Sequence, residues 1–202
     1  MLFDLFDIID FPVSTWTMSL KSPQLDQLMI FVSKSPYAFL TLALLVLGYC
    51  VFKFKKMSVP FFFLLLLNVG LHDLISTRGL KDQTQRLRPC RDAVAIDKIQ
   101  GMDRCLGGGD YGFVSSHAAN LFSVIFLLFF FTRKMDVFLG LLTSYASLVA
   151  FSRIYLGKHY LTDILAGITL ALLLTLIYYK FLILIFHKAK AKGLLRSESS
   201  PH

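Results

Sequence analysis

The sequence has no zinc-type spacing of cysteine and histidine, no internal repeat and no basic stretch at its start. Asp4, Asp7 and Asp10 interrupt the first apolar residues, so the start does not look like a cleaved signal peptide. Charge is scarce: 17% of the 202 residues are charged, against 55% hydrophobic and 14% aromatic, with a mean hydropathy of +0.63. A soluble domain does not need that much apolar residue, so the composition points to a chain dissolved in lipid. The net charge of +8 would suggest nucleic acid in a soluble protein. Here the cations fall in short clusters beside apolar runs, which is a membrane-topology pattern, and no nucleic-acid partner is expected.

Apolar runs cover residues 36–52, 57–71, 118–132, 137–151 and 164–186, the last broken only by Lys180. With flanking residues each approaches the roughly 20 residues that a spanning helix needs. The expected fold is therefore all-α: a polytopic membrane helical bundle of about five transmembrane helices in a single integral-membrane domain, 1–187. A polar tail, 188–202, follows. Residues 1–35 form an expected interfacial segment, with aspartates every third residue, Pro12 limiting the first helix and Trp16 in the interfacial belt. A sixth span over 12–33 is the alternative, but it would carry Lys21 and Asp26 into the bilayer.

Strict alternation of five spans puts Lys53, Lys55 and Lys56, then Arg133 and Lys134, then Lys188, Lys190, Lys192 and Arg196 on one side. By the positive-inside rule that side is the cytoplasm. The 82–116 loop falls outside, although the 78–116 stretch carries Arg78, Lys81, Arg86, Arg88, Arg91, Lys98 and Arg104. The same alternation gathers Lys81, Arg88, His117, Arg153, His159 and Asp163 at the outer end, although they are scattered in sequence. His159 and Asp163, four apart, would share a helix face, and an aspartate on one imidazole nitrogen leaves the other free as base or nucleophile. On its own such a pair is more often a structural hydrogen bond. Lys81, Arg88 and Arg153 could surround a dianion, or could simply anchor the interface. Ser115 and Ser116 open a helix before His117, where unpaired N–H groups suit an anion or where a serine simply caps.

Taken together, KDQTQRLRP (81–89), VSSH (114–117) and SRIYLGKHYLTD (152–163) resemble the K-x6-RP, PSGH and SR-x5-H-x3-D motifs of the type-2 phosphatidic-acid phosphatase superfamily. They occur in the family's order. Val114 and Ser116 depart from the second motif, standing where Pro and Gly are usual. The resemblance implies that His159 attacks phosphorus and Asp163 orients it, while His117 protonates the leaving oxygen and then helps to activate water. Lys81, Arg88, Arg153, Ser115 and the Ser116 N–H would hold the phosphoryl oxygens. Those cations would do what a metal does elsewhere, so no metal and no cofactor are expected.

The implied reaction is hydrolysis of lipid phosphate monoesters or diphosphates, of the undecaprenyl diphosphate, lipid A phosphate or phosphatidylglycerol phosphate class. The lipid bilayer and a membrane lipid phosphate are the expected partners. The expected location is a bacterial inner membrane with the site facing the periplasm. A phosphotransferase using the same site, and a lipid-binding or transport protein without turnover, are the alternatives. The sequence is silent on oligomeric state. His72 and Asp73, inside the second run, suggest helix packing or support of the site. Gly107–Gly109 suggests a flexible loop, and the long 82–116 connection a lid or headgroup-selecting loop. Cys50 reads as a packing residue. Cys90 and Cys105 share the outer loop, where an oxidising compartment favours a disulfide and the alternative is two free thiols.

Overall fold

The computed structural model describes residues 4–103, 105 and 109–191, so Arg104, Gly107, Gly108, Lys192 and Arg196 lie outside the described residues, as does the tail from 192. Every element among the described residues is helical, apart from one isolated bridge between Leu87 and Tyr111. In chain order these are α1 (Asp4–Ser19), α2 (Pro23–Lys34), α3 (Pro36–Phe54), a 3-10 turn (Lys55–Met57), α4 (Ser58–Leu74), a π-helical segment (Ile75–Lys81), α5 (Asp82–Thr84), a second 3-10 turn (Pro89–Arg91), α6 (Ala93–Lys98), α7 (Ser116–Thr132), α8 (Val137–Tyr155) and α9 (Leu161–Ala191).

Local sequence explains the starts. Ser22 and Ser35 accept from the N–H groups of Leu25 and Ala38, and Pro23 and Pro36 follow at the first helical position. Asp136 caps α8 through the Leu139 N–H, while its other oxygen takes the Tyr49 hydroxyl at 2.8 Å and the Lys53 ammonium at 2.9 Å. That ties the end of α3 to the start of α8, at the end of the bundle away from Arg153.

Three stretches are long and apolar enough to cross a membrane: Pro36–Thr84, Val137–Tyr155 and Leu161–Ala189; Ser116–Thr132 is a shorter apolar helix. The first of these is divided at Lys55–Met57, and its two arms, α3 and α4, pack on each other. α7 lies at the centre, against α4, α8 and most extensively α9. Phe61, Leu65, Ile125, Leu127, Leu128, Leu139 and Ala171 meet there in the main core, which includes the free and buried Cys50. Leu5, Ile8, Leu44, Phe63, Leu141, Ile177 and Phe181 are exposed, as expected of a surface dissolved in lipid.

The N-terminal segment departs from the expectation. Pro12 does not limit α1, which runs through it to Ser19. α1 packs against α8 and α9, and Asp10, Ser14 and Thr17 are buried beneath it, so tertiary contact overrides the local cost of an interior proline. Residues 12–33 are not one helix, because Leu20–Ser22 separates α1 from α2. The polar residues of that stretch bind elsewhere: Lys21 to the Gly101 carbonyl at 3.0 Å, and Asp26 to the Tyr155 hydroxyl at 2.6 Å. α2, at 12 residues, is about 18 Å long, short of the roughly 30 Å hydrocarbon core.

The 82–116 connection is largely built structure. A 3-10 turn at Pro89–Arg91 and α6 pack with Met18, Cys90, Ala95, Ile99, Met102 and Tyr160 into a second small core. Cys90 and Cys105 are joined by a disulfide within it, their Cα atoms 5.1 Å apart.

Candidate active site

Two helix faces converge on one cavity of about 500 Å³. Val69, Asp73, Thr77 and Lys81 line it from α4 and its π-helical extension, and Ser116, His117, Asn120, Leu121 and Val124 line it from α7. Residues four apart drift by about 40° on an α-helix, so three such steps would carry Lys81 off that face. The wider π turn over Ile75–Lys81 takes up the drift and keeps Lys81 on the cavity. Lys81 Nζ donates to Ser116 Oγ at 2.6 Å, and Ser76 Oγ donates to the same oxygen at 2.8 Å. The serine that departs from the family motif thus orients the lysine.

Arg88, Arg153 and His159 complete the polar wall. Arg88 is held by its backbone N–H to the Asp110 carbonyl at 2.9 Å and by Nε to the Tyr111 carbonyl at 3.1 Å. Arg153 Nη1 donates to Ser33 Oγ, which draws α2 into the site. No carboxylate lies within 4.0 Å of Lys81, Arg88 or Arg153 among the described residues. Arg153 Nε and Ser115 Oγ are buried without a partner among those residues. Ser115 therefore makes no side-chain cap, although it stands at the start of α7.

His159 is not helical, contrary to the expectation from its spacing to Asp163. It lies two residues ahead of α9, in the turn that follows α8. Gly157 makes that turn at φ +62°, and a Cβ there would come 2.7 Å from Met102 Sδ. Asp163 reaches back as the third residue of α9: its Oδ2 accepts the Tyr160 N–H at 3.0 Å and lies 3.5 Å from His159 Nδ1. Gly112 seals the other side, where a Cβ would stand 3.0 Å from Asp163 Oδ2 and 3.6 Å from His159 Nδ1. Burial first, then Arg153, Arg88 and Lys81, holds the His159 imidazole well below its usual pKa, so it is neutral. His117, the second residue of α7, faces the same cavity with its ring 6.0 Å from that of Phe39.

Sequence reasoning missed Arg86 and Asp10. Arg86 is buried, with Nη1 on Asp163 Oδ1 and Nη2 on Asp10 Oδ2, each at 2.7 Å, and its guanidinium 4.3 Å from the Tyr160 ring centre. Asp10 also accepts the Thr162 N–H at 3.0 Å and the Thr162 hydroxyl at 2.5 Å. Burial alone would lower the Arg86 pKa, but the two carboxylates outweigh it and raise it. One signal was available: an aspartate inside an apolar helix needs a buried partner. His72, by contrast, faces α9, with Nδ1 2.7 Å from the Asn68 carbonyl and Nε2 3.3 Å from Thr175 Oγ1. It packs helices and does not line the cavity.

The expected residues therefore meet in one place: Lys81, Arg88, Ser116, His117, Arg153 and His159 on the cavity, with Ser115 and Asp163 buried and not among its lining. Residues 58–185, which carry all of them, match the sequence profile of the PAP2 superfamily. The chain belongs to that superfamily. This PAP2 chain is 34% identical over 116 residues to the lipid A 4'-phosphatase of Porphyromonas gingivalis, covering 57% of this chain and 48% of that protein. It is 31% identical over 114 residues to the lipid A 4'-phosphatase of Bacteroides thetaiotaomicron, covering 55% and 49%. The chain thus spans about half the length of these curated relatives. In structure it resembles a PAP2-type phosphatidylglycerolphosphate phosphatase from Bacillus subtilis, with TM-score 0.62 and 23% identity over 88% of this chain and 86% of that one. It also resembles LpxE of Aquifex aeolicus, with TM-score 0.58 and 19% identity over 85% and 95%. At those identities the PAP2 fold is what is shared.

Proposed function

We propose that this protein is an integral-membrane phosphatase that removes phosphate from a lipid phosphate monoester or diphosphate at the outer interface of a bacterial inner membrane. The observation that carries the reading is the continuity of two cavities. The cation-and-histidine cavity shares Phe39, Val69, Leu121 and Val124 with a second of about 140 Å³, lined by Leu42, Val46, Phe62, Leu65 and Leu66 among others. A phosphate at Lys81, Arg88 and Arg153 would therefore leave its hydrocarbon next to an apolar cleft between α3, α4 and α7. In our reading α3, α4, α7, α8 and α9 are five spans with the Lys53 end in the cytoplasm, an arrangement that would put the phosphate on the outer side.

His159 Nε2 attacks phosphorus, with Nδ1 turned to Asp163. The bond from phosphorus to the lipid oxygen breaks, and His117 delivers a proton to that oxygen. Lys81, Arg88, Arg153, Ser115 and the Ser116 N–H stabilise the charge on the three equatorial oxygens. Water then attacks the phosphohistidine and passes a proton to His117; the phosphorus–nitrogen bond breaks and phosphate leaves. The lipid A 4'-phosphatase relatives support a glycolipid substrate.

Purified protein in lipid nanodiscs, offered lipid A, phosphatidylglycerol phosphate and undecaprenyl diphosphate with a chelator present, should release free phosphate from at least one. Brief exposure to phosphate-labelled substrate should leave alkali-stable, acid-labile label on the wild type and none on His159→Ala. Transfer of label only when an acceptor is added would make it a phosphotransferase, and absence of both would refute turnover.

A further inference from the structure

The cavity wall is graded along the helix axes. On the α4 face Lys81 is followed inward by Thr77, Asp73 and Val69; on the α7 face Ser116 and His117 are followed by Asn120, Leu121 and Val124. Between the phosphate cluster and the apolar cleft therefore lies a polar band. Its two side chains are paired, Asn120 Nδ2 donating to Asp73 Oδ1 at 3.1 Å. Thr77 adds no free donor, because its hydroxyl donates to the Asp73 carbonyl at 2.5 Å. What the pair leaves open is acceptors. Asn120 Oδ1 is buried with no partner among the described residues, and no described residue bonds Asp73 Oδ2. Asp73 is exposed on the cavity, and a carboxylate in an apolar helix is costly in lipid unless it faces water or a polar ligand.

We infer that Asp73 and Asn120 select lipid phosphates whose phosphate-bearing moiety itself carries O–H or N–H donors, a sugar or polyol phosphate. This rests on the lipid phosphatase reading and narrows it. Asn120, which holds Asp73, lies four residues, roughly 6 Å, along α7 from Ser116, the residue that holds the Lys81 ammonium; that is the depth of a moiety bonded directly to the phosphate. A hydroxyl or amide N–H there meets both acceptors. A diacylglycerol phosphate offers only ester carbonyls at that depth, acceptor against acceptor. A polyprenyl diphosphate is worse placed, because its second phosphate would fall against the Asp73 carboxylate. Discrimination is strong when a wrong ligand leaves buried polar groups unpaired.

The test is kcat/KM of the full-length protein in nanodiscs on four substrates: lipid A (amide N–H and hydroxyl), phosphatidylglycerol phosphate (hydroxyl), diacylglycerol phosphate and undecaprenyl diphosphate. The first two should exceed the last two at least tenfold. Which of the first two is faster separates sugar from polyol. Asn120→Leu and Asp73→Asn should each cut the ratio of donor-bearing to donor-free substrate at least fivefold. Equal loss on all four would mean a merely structural role and overturn the inference, as would a wild type that prefers undecaprenyl diphosphate or treats all four alike. No release from any of them would instead strike the phosphatase reading itself.

Discussion

Arg86 and Arg88 are two positions apart on one extended segment, yet they have opposite fates. Arg86 is closed: both ends of its guanidinium are taken by Asp10 and Asp163, and Tyr160 covers its face. Arg88 is open: it is braced through backbone and Nε, has no carboxylate partner among the described residues, and lines the cavity. Its burial, the first cause, lowers its pKa, with Asp163 opposing. A guanidinium satisfied inside the fold positions other groups. One kept without a counter-ion has affinity left for a phosphate.

The largest effect should come from emptying the open side. His159→Ala should lower turnover at least about 1000-fold, as expected for loss of a nucleophile. Arg153→Ala should cost roughly 100- to 1000-fold through lost stabilisation of the transition state. Both should fold, as judged by detergent size-exclusion profile. Substantial activity in His159→Ala, in clean protein, would end the assignment of that histidine.

Opening the closed side should do less to rate and more to stability. Arg86→Met leaves two buried carboxylates uncompensated, which costs about 3–5 kcal/mol. Asp10→Asn keeps the shape and one hydrogen-bond acceptor, so it should fold and lose roughly tenfold in kcat with little change in KM. Arg86→Met should also move the acid limb of the pH–rate profile to higher pH. The sign follows from Asp163: without the guanidinium its charge favours the imidazolium of His159, whose folded pKa rises, so more of the nucleophile is protonated at low pH. An unshifted limb in an active Arg86→Met would mean the clamp is scaffolding only.

The same contrast separates what the sequence made legible from what it hid. Apolar runs and spaced motifs identified the helices α3, α4, α7, α8 and α9 and every residue now lining the polar end of the cavity except Thr77 and Asn120; Asp73 stood out only as a charge inside an apolar run, read as helix packing or support of the site. Those signals are local, carried by periodicity or by fixed spacing. Arg86 and Asp10 are 76 positions apart, and a loop cation has no periodicity, so nothing local distinguishes Arg86 from Arg88. Asp10 looked like one of a row of interfacial aspartates, and only packing on α9 shows it buried. Ser33 and the π-helical segment were hidden for the same reason: each matters through the phase or partner that tertiary contact gives it.

The smallest effect concerns how Arg88 stays open. Cys90, two residues on, is tied to Cys105, and its backbone N–H donates to the Gly157 carbonyl at 3.1 Å, in the turn that carries His159. The bridge thus joins the Arg88 segment to the small core around α6 and Tyr160, while the Arg86 segment has its own carboxylates. Closing about 15 residues restricts the unfolded chain by roughly 3 kcal/mol in the entropy model. Reduction, or Cys90→Ser with Cys105→Ser, should therefore lower thermal stability. It should raise KM about two- to tenfold, on the scale of one loosened phosphate contact, with kcat within about twofold because His117 and His159 lie outside the bridged loop. Asp10→Asn predicts the reverse split, kcat falling with KM nearly constant. If reduction instead lowers kcat alone, Cys90–Cys105 supports the closed side, and the division between the two arginines would have to be redrawn. Mass spectrometry of unreduced, alkylated membranes settles whether the bridge is there to be cut: a linked peptide pair is expected, and full alkylation of both thiols would remove it.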